Sequence, residues 1–180
     1  MSTQLQPIIA VTDNSYGASS ASVTLVEYGD YQCPHCGHAY PIVKKVQDFF
    51  GDKLKFVFRN FPLKNIHPLA TPAAIAAEAA ARQDKFWEMH DAIFENQQQL
   101  HSNSFRAFAE NLGMNLAQFE NDCEDRTIIE KVEKDFESGI LSGVNGTPTF
   151  FINGIRHNGS FESYDLTAAI EETLASERYK

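Results

Sequence analysis

Apolar residues recur along this chain with two periods, and the change from one to the other organises it. After an arm to about Ser22 that is rich in Ser, Asn, Thr and Gly, the run Val23-Thr24-Leu25-Val26-Glu27-Tyr28 is β-branched and almost continuously apolar. That is the pattern of a strand buried on both faces. Within the arm only Ile8-Ile9-Ala10-Val11 has strand character, and it reads as an edge strand. A helix should begin near Pro34, since proline is tolerated at the first helical position, and Cys33 then takes the cap. Val43, Val46 and Phe50, with Ile42 and Phe49 beside them, give this helix an apolar face, and Pro41 predicts a kink by removing one backbone hydrogen bond. Leu54, Phe56 and Phe58 then alternate with Lys53, Lys55 and Arg59, the period-two signature of a strand covered on one side.

From about Pro68 to Gly143 the period becomes helical. An alanine-rich run, Ala73 to Ala81, favours close helix packing. Phe86, Met89, His90, Ile93 and Phe94 share one helical face; Phe105, Phe108, Ala109 and Leu112 share another, with Gly113 placed to stop it. Leu116, Phe119 and Cys123, then Ile129, Val132, Phe136 and Ile140, continue the series. Strand character returns at Thr149-Phe150-Phe151-Ile152, where Asn153-Gly154 supplies the positive-φ pair of a type I′ turn and Ile155-Arg156-His157 pairs back. Leu166, Ala169, Ile170 and Leu174 face one side of a closing helix capped by Ser163.

Composition narrows the partners. The 180 residues carry 24 acidic against 15 basic side chains, a formal charge of -9, which repels a phosphate backbone and excludes nucleic acid as the expected partner. No apolar run approaches the roughly 20 residues of a membrane span, and the first residues lack the basic start and apolar stretch of a secretory signal. As it stands the chain is expected to stay in the cytoplasm; a chain trimmed of its leader would read the same and belong to the periplasm or the exterior. No coiled-coil stalk is written into it, so a monomer is expected. Three cysteines, two of them in Cys33-Pro34-His35-Cys36, do not make the framework of a small disulfide-stapled scaffold.

The Cys-x-x-Cys pair follows a buried strand and opens a helix, the context in which two thiols one turn apart exchange disulfides. One attacks a substrate disulfide and the other resolves the mixed disulfide. Cys33, at the cap and expected to be the more exposed, is the candidate nucleophile, because the free N–H groups and positive dipole end of the helix favour its thiolate. Cys36 resolves. His35 can place positive charge beside Cys33, stabilising the reduced form and making the disulfide a stronger oxidant. A zinc knuckle built on Cys33, Cys36, His35 and His38 is the competing reading. It lacks the second Cys-x-x-Cys of a closed four-ligand site, and neither metal nor any cofactor beyond the Cys33–Cys36 disulfide is expected. Pro148 precedes a strand, where a cis X-Pro bond would expose backbone edges to an extended peptide. Glu27 either points under the helix, where it could relay the Cys36 proton through water, or is a solvated charge at a strand end. Cys123 shares a face with Phe119 and reads as an inert buried thiol, and His90, on an apolar stripe, as a satisfied core histidine.

Four ordered motifs carry a resemblance: Val26-Glu27-Tyr28-Gly29-Asp30-Tyr31-Gln32-Cys33-Pro34-His35-Cys36; Phe58-Arg59-Asn60-Phe61-Pro62-Leu63 with His67-Pro68; Phe86-Trp87-Glu88-Met89-His90; and Gly143-Val144-Asn145-Gly146-Thr147-Pro148-Thr149-Phe150-Phe151-Ile152-Asn153-Gly154. From about Val23 to the final helix the chain resembles the DsbA family of thioredoxin-like disulfide oxidoreductases. The resemblance implies an α/β fold, a central mixed sheet flanked by helices, with an inserted all-helical domain: residues 1–66 and 144–180 for the first, 67–143 for the second. It implies that Cys33 attacks, Cys36 resolves, Pro148 is cis beside them, Glu27 matches the family's buried acid, and Pro34, Thr147 and Pro148 meet the substrate. The Pro-His dipeptide is that of strongly oxidising members. Partners would be protein or peptide thiols and disulfides, plus a redox partner, not identified, that recycles the pair. Similar domains also form the soluble tails of some sodium/proton antiporters, so a cytoplasmic disulfide reductase is an alternative. So is a non-redox module that binds extended peptides near Pro148. Related glutathione-dependent transferases usually replace the first cysteine with serine, which both cysteines here argue against.

Overall fold

Five strands carry the fold: β1 (Asn14–Tyr16), β2 (Val23–Gly29), β3 (Leu54–Asn60), β4 (Thr149–Ile152) and β5 (Ile155–Arg156). The computed structural model describes residues 4–10 and 12–177. They form one mixed sheet in the order β1-β3-β2-β4-β5, with helix α1 (Pro34–Phe50) as the crossover between β2 and β3. The helices α2 (Ala70–Ala81), α3 (Phe86–Glu95), α4 (Ser104–Asn111), α5 (Leu116–Cys123) and α6 (Arg126–Leu141) follow before β4, and α7 (Ser163–Glu177) closes the chain. Among the described residues no helix is long and apolar enough to cross a membrane.

Contacts divide the chain into two units. One gathers the chain up to Gly29, His38–Arg59 and the chain from Ser138 onward; the other gathers Asp30–Gly37 and Asn60–Glu137. In the first, β2 is central and buried along almost its whole length, as its unbroken apolar run requires. β4 pairs antiparallel with β2 in the register Leu25↔Ile152, Val26↔Phe151, Glu27↔Phe150 and Tyr28↔Thr149. The β4–β5 turn has φ of 46° at Asn153 and 80° at Gly154, the positive pair expected of an Asn-Gly hairpin. Leu166 and Ile170 of α7 are fully buried, and α7 packs on β2 and β4. In the second unit, Ala73, Ala76, Ala77 and Ala80 of α2 are buried with Met89 and Ile93 of α3 and Phe119 of α5. Side chains this small let α2 approach α3, α4 and α5 together.

Three expectations change. Ile8, Ile9 and Ala10 are not a strand, and Val11 lies outside the described residues. Asp13 closes a turn there, accepting at Oδ2 from the Ala10 N–H (2.8 Å) while its own N–H donates to the Ala10 carbonyl (3.1 Å), so pairing with β3 starts only at Asn14, opposite Phe58. β3 is buried on both faces rather than one, and Arg59 is only 2% exposed. Its guanidinium donates from Nε to Asp13 Oδ1 (3.0 Å), from Nη2 to Asp13 Oδ2 (2.8 Å), and from Nη1 to the Tyr28 hydroxyl (2.9 Å) and the Pro7 carbonyl (3.1 Å). Burial works against this charge, yet the bonds with Asp13 and Tyr28 outweigh it and hold Arg59 protonated beyond its ordinary range. Phe49 is 67% exposed, while Val43, Val46 and Phe50 form the buried stripe of α1.

Candidate active site at the Cys33–Cys36 turn

β2 ends at Gly29, and the next four residues turn the chain into α1. The Cys33 N–H donates to the Asp30 carbonyl (3.1 Å), and the Cys33 carbonyl accepts the first helical bond from the Gly37 N–H (3.0 Å). Cys33 is therefore the cap residue and Pro34 the first helical residue, as the proline implies. The pair Cys33 and Cys36 comes close together in this turn. Both side chains are buried, Cys33 at 4% exposure and Cys36 at 0%, whereas Pro34 and His35 between them are exposed. The expected order of accessibility holds, but Cys33 is far more covered than a bare cap residue would be.

A group of polar side chains pins this turn. Gln97, in a single 3-10 turn after α3, donates from Nε2 to the carbonyls of Tyr31 and Cys33, each at 2.9 Å. Gly37 leaves the space for it: a Cβ there would collide with Gln97 Oε1. The Tyr31 hydroxyl meets His90 Nδ1 at 3.0 Å, with the Tyr31 ring against Phe94, so His90 is a satisfied core histidine. Gln32 Oε1 accepts from the Leu69 N–H at the start of α2 (2.7 Å). Asp30, its side chain fully buried, sends its own N–H to Cys36 Sγ at 3.4 Å. Of these residues, the sequence marked His90 as core and carried Asp30, Tyr31 and Gln32 only inside a motif, without a role. Gln97 drew no reading from the sequence. A polar side chain in a single short turn carries no period that would reveal which carbonyls it meets.

The remaining candidates belong to the sheet unit. Glu27 is 3% exposed in the middle of β2, so it is not a solvated strand-end charge. Its Oε1 lies 3.2 Å from where a Cβ on Gly29 would stand, which aims the carboxylate along β2 toward the end that leads to Asp30. The Thr147–Pro148 bond is cis, and Pro148 comes immediately before Thr149, whose β2 partner is Tyr28. The Thr149 hydroxyl donates to the Gly146 carbonyl at 2.8 Å and closes that turn. Cys123, at the end of α5, is partly buried, and burial together with Asp122, Glu120 and Glu124 pushes its thiol up to about 11. That makes it a poor nucleophile at neutral pH. Among the described residues no group of three or more His, Cys, Asp and Glu side chains converges as metal ligands.

A family model described as thioredoxin matches residues 10–172. The chain is 40% identical over 174 residues to a Na(+)/H(+) antiporter NhaA 1 of Salinispora arenicola, covering 97% of this chain and 26% of that protein. A NhaA antiporter of Herminiimonas arsenicoxydans is 37% identical, with 96% of this chain and 27% of that protein covered. The chain thus spans about a quarter of the length of these curated relatives. Among solved structures it is similar to oxidised BdbD from Bacillus subtilis, with a TM-score of 0.83, 26% identity, and coverage of 97% of this chain and 98% of that one. The alpha-DsbA1 of Wolbachia pipientis matches in fold, with a TM-score of 0.84 at 21% identity over 95% of each chain.

Proposed function

Because the chain belongs to the thioredoxin family, we propose that it is a thiol-disulfide oxidoreductase that takes electrons from protein or peptide thiols through Cys33 and Cys36. The observation that carries this reading is the turn itself: two buried sulfurs at the head of α1, one on the cap residue and one in the first turn, with a peptide N–H donating to the second. A substrate thiolate attacks Cys33 Sγ of the Cys33–Cys36 disulfide, a substrate–Cys33 bond forms, and Cys36 departs with the electron pair. A second substrate thiolate then attacks the substrate sulfur of that mixed disulfide. Cys33 leaves as a thiolate favoured by the helix terminus, the substrate departs oxidised, and the dithiol holds two electrons for a recycling partner.

The oxidising direction rests on the Pro34-His35 dipeptide, where a histidine beside the nucleophile favours the reduced state. The substrate-facing roles of Pro34, Thr147 and Pro148 and the acid role of Glu27 rest on the family motifs, and single substitutions at each test them. Equilibration with glutathione decides direction: the reading expects a potential clearly above thioredoxin's, roughly -270 mV, and a value that low rejects the oxidant. Cys33→Ser should abolish dithiol oxidation and Cys36→Ser should trap mixed disulfides. If both variants keep full activity, the exchange reading is wrong.

A further inference from the structure

Asp30 ties the cysteine turn, through its backbone, to residues 63–67, through its carboxylate. Its backbone reaches both thiol residues: the carbonyl accepts from the Cys33 N–H (3.1 Å) and the N–H donates to Cys36 Sγ (3.4 Å). Its carboxylate, with no exposed surface, accepts three donors. Oδ1 takes the Gln32 N–H at 2.8 Å, and Oδ2 takes the Leu63 N–H and His67 Nδ1, both at 2.8 Å. A carboxylate accepts only, so the His67 Nδ1 must carry the proton. The Leu63 carbonyl in turn receives the N–H groups of Ile66 and His67, which makes 63–67 a closed turn rather than a loose loop. Residue 30 is thereby fixed in orientation by groups that are themselves fixed.

Resting on the exchange reading above, we propose that Asp30 is a positioning residue for that chemistry: its carboxylate, clamped by Gln32, Leu63 and His67, holds its own peptide N–H on Cys36 Sγ. When a substrate thiolate bonds to Cys33 Sγ and the Cys33–Cys36 bond breaks, the electron pair goes to Cys36 Sγ. The Asp30 N–H takes up part of the charge that appears there, so Cys36 leaves as a hydrogen-bonded thiolate. The same bond stabilises the reduced state and strengthens the oxidant. Shape alone does not meet the requirement. An asparagine at 30 would set its NH₂ against the Leu63 N–H in one orientation and against the Gln32 N–H in the other, losing a backbone bond either way.

The test compares the native chain with Asp30→Asn, His67→Leu and His67→Gln in glutathione redox buffers. Thiolate formation at Cys36 is followed by ultraviolet absorbance in a Cys33→Ala background. Asp30→Asn should shift the equilibrium about tenfold toward the disulfide and raise the Cys36 thiolate midpoint by about one pH unit, the size expected for losing a hydrogen bond to a charged group. His67→Leu should shift both in the same direction by less, and His67→Gln, whose amide N–H can reach Oδ2, should return toward native. A folded Asp30→Asn chain with the native equilibrium overturns the proposal. If that variant does not fold, His67→Leu decides: no shift overturns the proposal, and a shift reversed by glutamine supports it. A native chain that does not exchange with glutathione at all defeats the exchange reading itself, a result distinct from normal exchange with unshifted variants.

Discussion

Replacing Arg59 by methionine removes the cation of a pair that is almost wholly out of water, with side-chain exposures of 2% for Arg59 and 5% for Asp13. Methionine fills much of the same space but donates nothing. Asp13 then loses two charge-assisted bonds, at 3.0 and 2.8 Å, and the Pro7 carbonyl loses one. The Tyr28 hydroxyl is spared, because it also meets Ser138 Oγ at 2.8 Å. An uncompensated buried charge costs about 3–5 kcal/mol. Because Asp13 sits in the arm just before the three-residue edge strand β1, it can regain water by releasing that arm, which places the expected loss near the lower end, about 3 kcal/mol. With a urea slope of about 2 kcal/mol per M, the unfolding midpoint should fall by about 1.5 M. Asp13→Asn should cost less, and the double variant should lose clearly less than the sum of the two singles, since neither then leaves a charge behind. A midpoint within about 0.3 M of native, or strict additivity, would refute the claim that this pair secures the arm.

Gly37→Ala should destabilise the chain by about 1 kcal/mol, although the same change in an open helix usually stabilises it, because the new Cβ evicts Gln97 from the Cys33 and Tyr31 carbonyls. Combining it with Gln97→Ala should add little, and a stabilised Gly37→Ala chain would show that Gln97 is not seated there. With Cys33 and Cys36 replaced by serine, Cys123 should alkylate near pH 8 about a hundredfold more slowly than an ordinary thiol, since its thiolate forms only at about 11; an ordinary rate contradicts this. Asp135 is buried and bonded to Lys131 Nζ (2.7 Å) and to the Asn60 amide (3.0 Å), yet burial prevails and raises its carboxyl above the usual range. The folded chain then holds that proton to higher pH than the unfolded chain. The associated stability is complete below the ordinary carboxylate range and is lost as pH climbs through the raised value. Asp135→Asn should flatten that descent in urea midpoints measured across pH, and an unchanged profile would sink the assignment.

The local elements were legible because each is written in a short stretch of chain. The unbroken apolar run of β2, the proline that starts α1 behind a cysteine cap, the alanines of α2 and the Asn153-Gly154 turn all declare themselves through side-chain period or backbone preference. The closeness of Cys33 and Cys36 is likewise a consequence of helical spacing. Only tertiary structure could decide what each polar group meets. Arg59 read as the open face of β3 because alternation cannot reveal that Asp13, 46 residues earlier, would satisfy it. Glu27 could not be assigned to interior or solvent, since strand register is set by pairing with Phe150 far along the chain. Asp30, His67 and Gln97 carry no period at all. Their placement around the cysteine turn depends on hydrogen bonds spanning 33 to 66 residues, and such bonds are directional, short-ranged and blind to sequence distance.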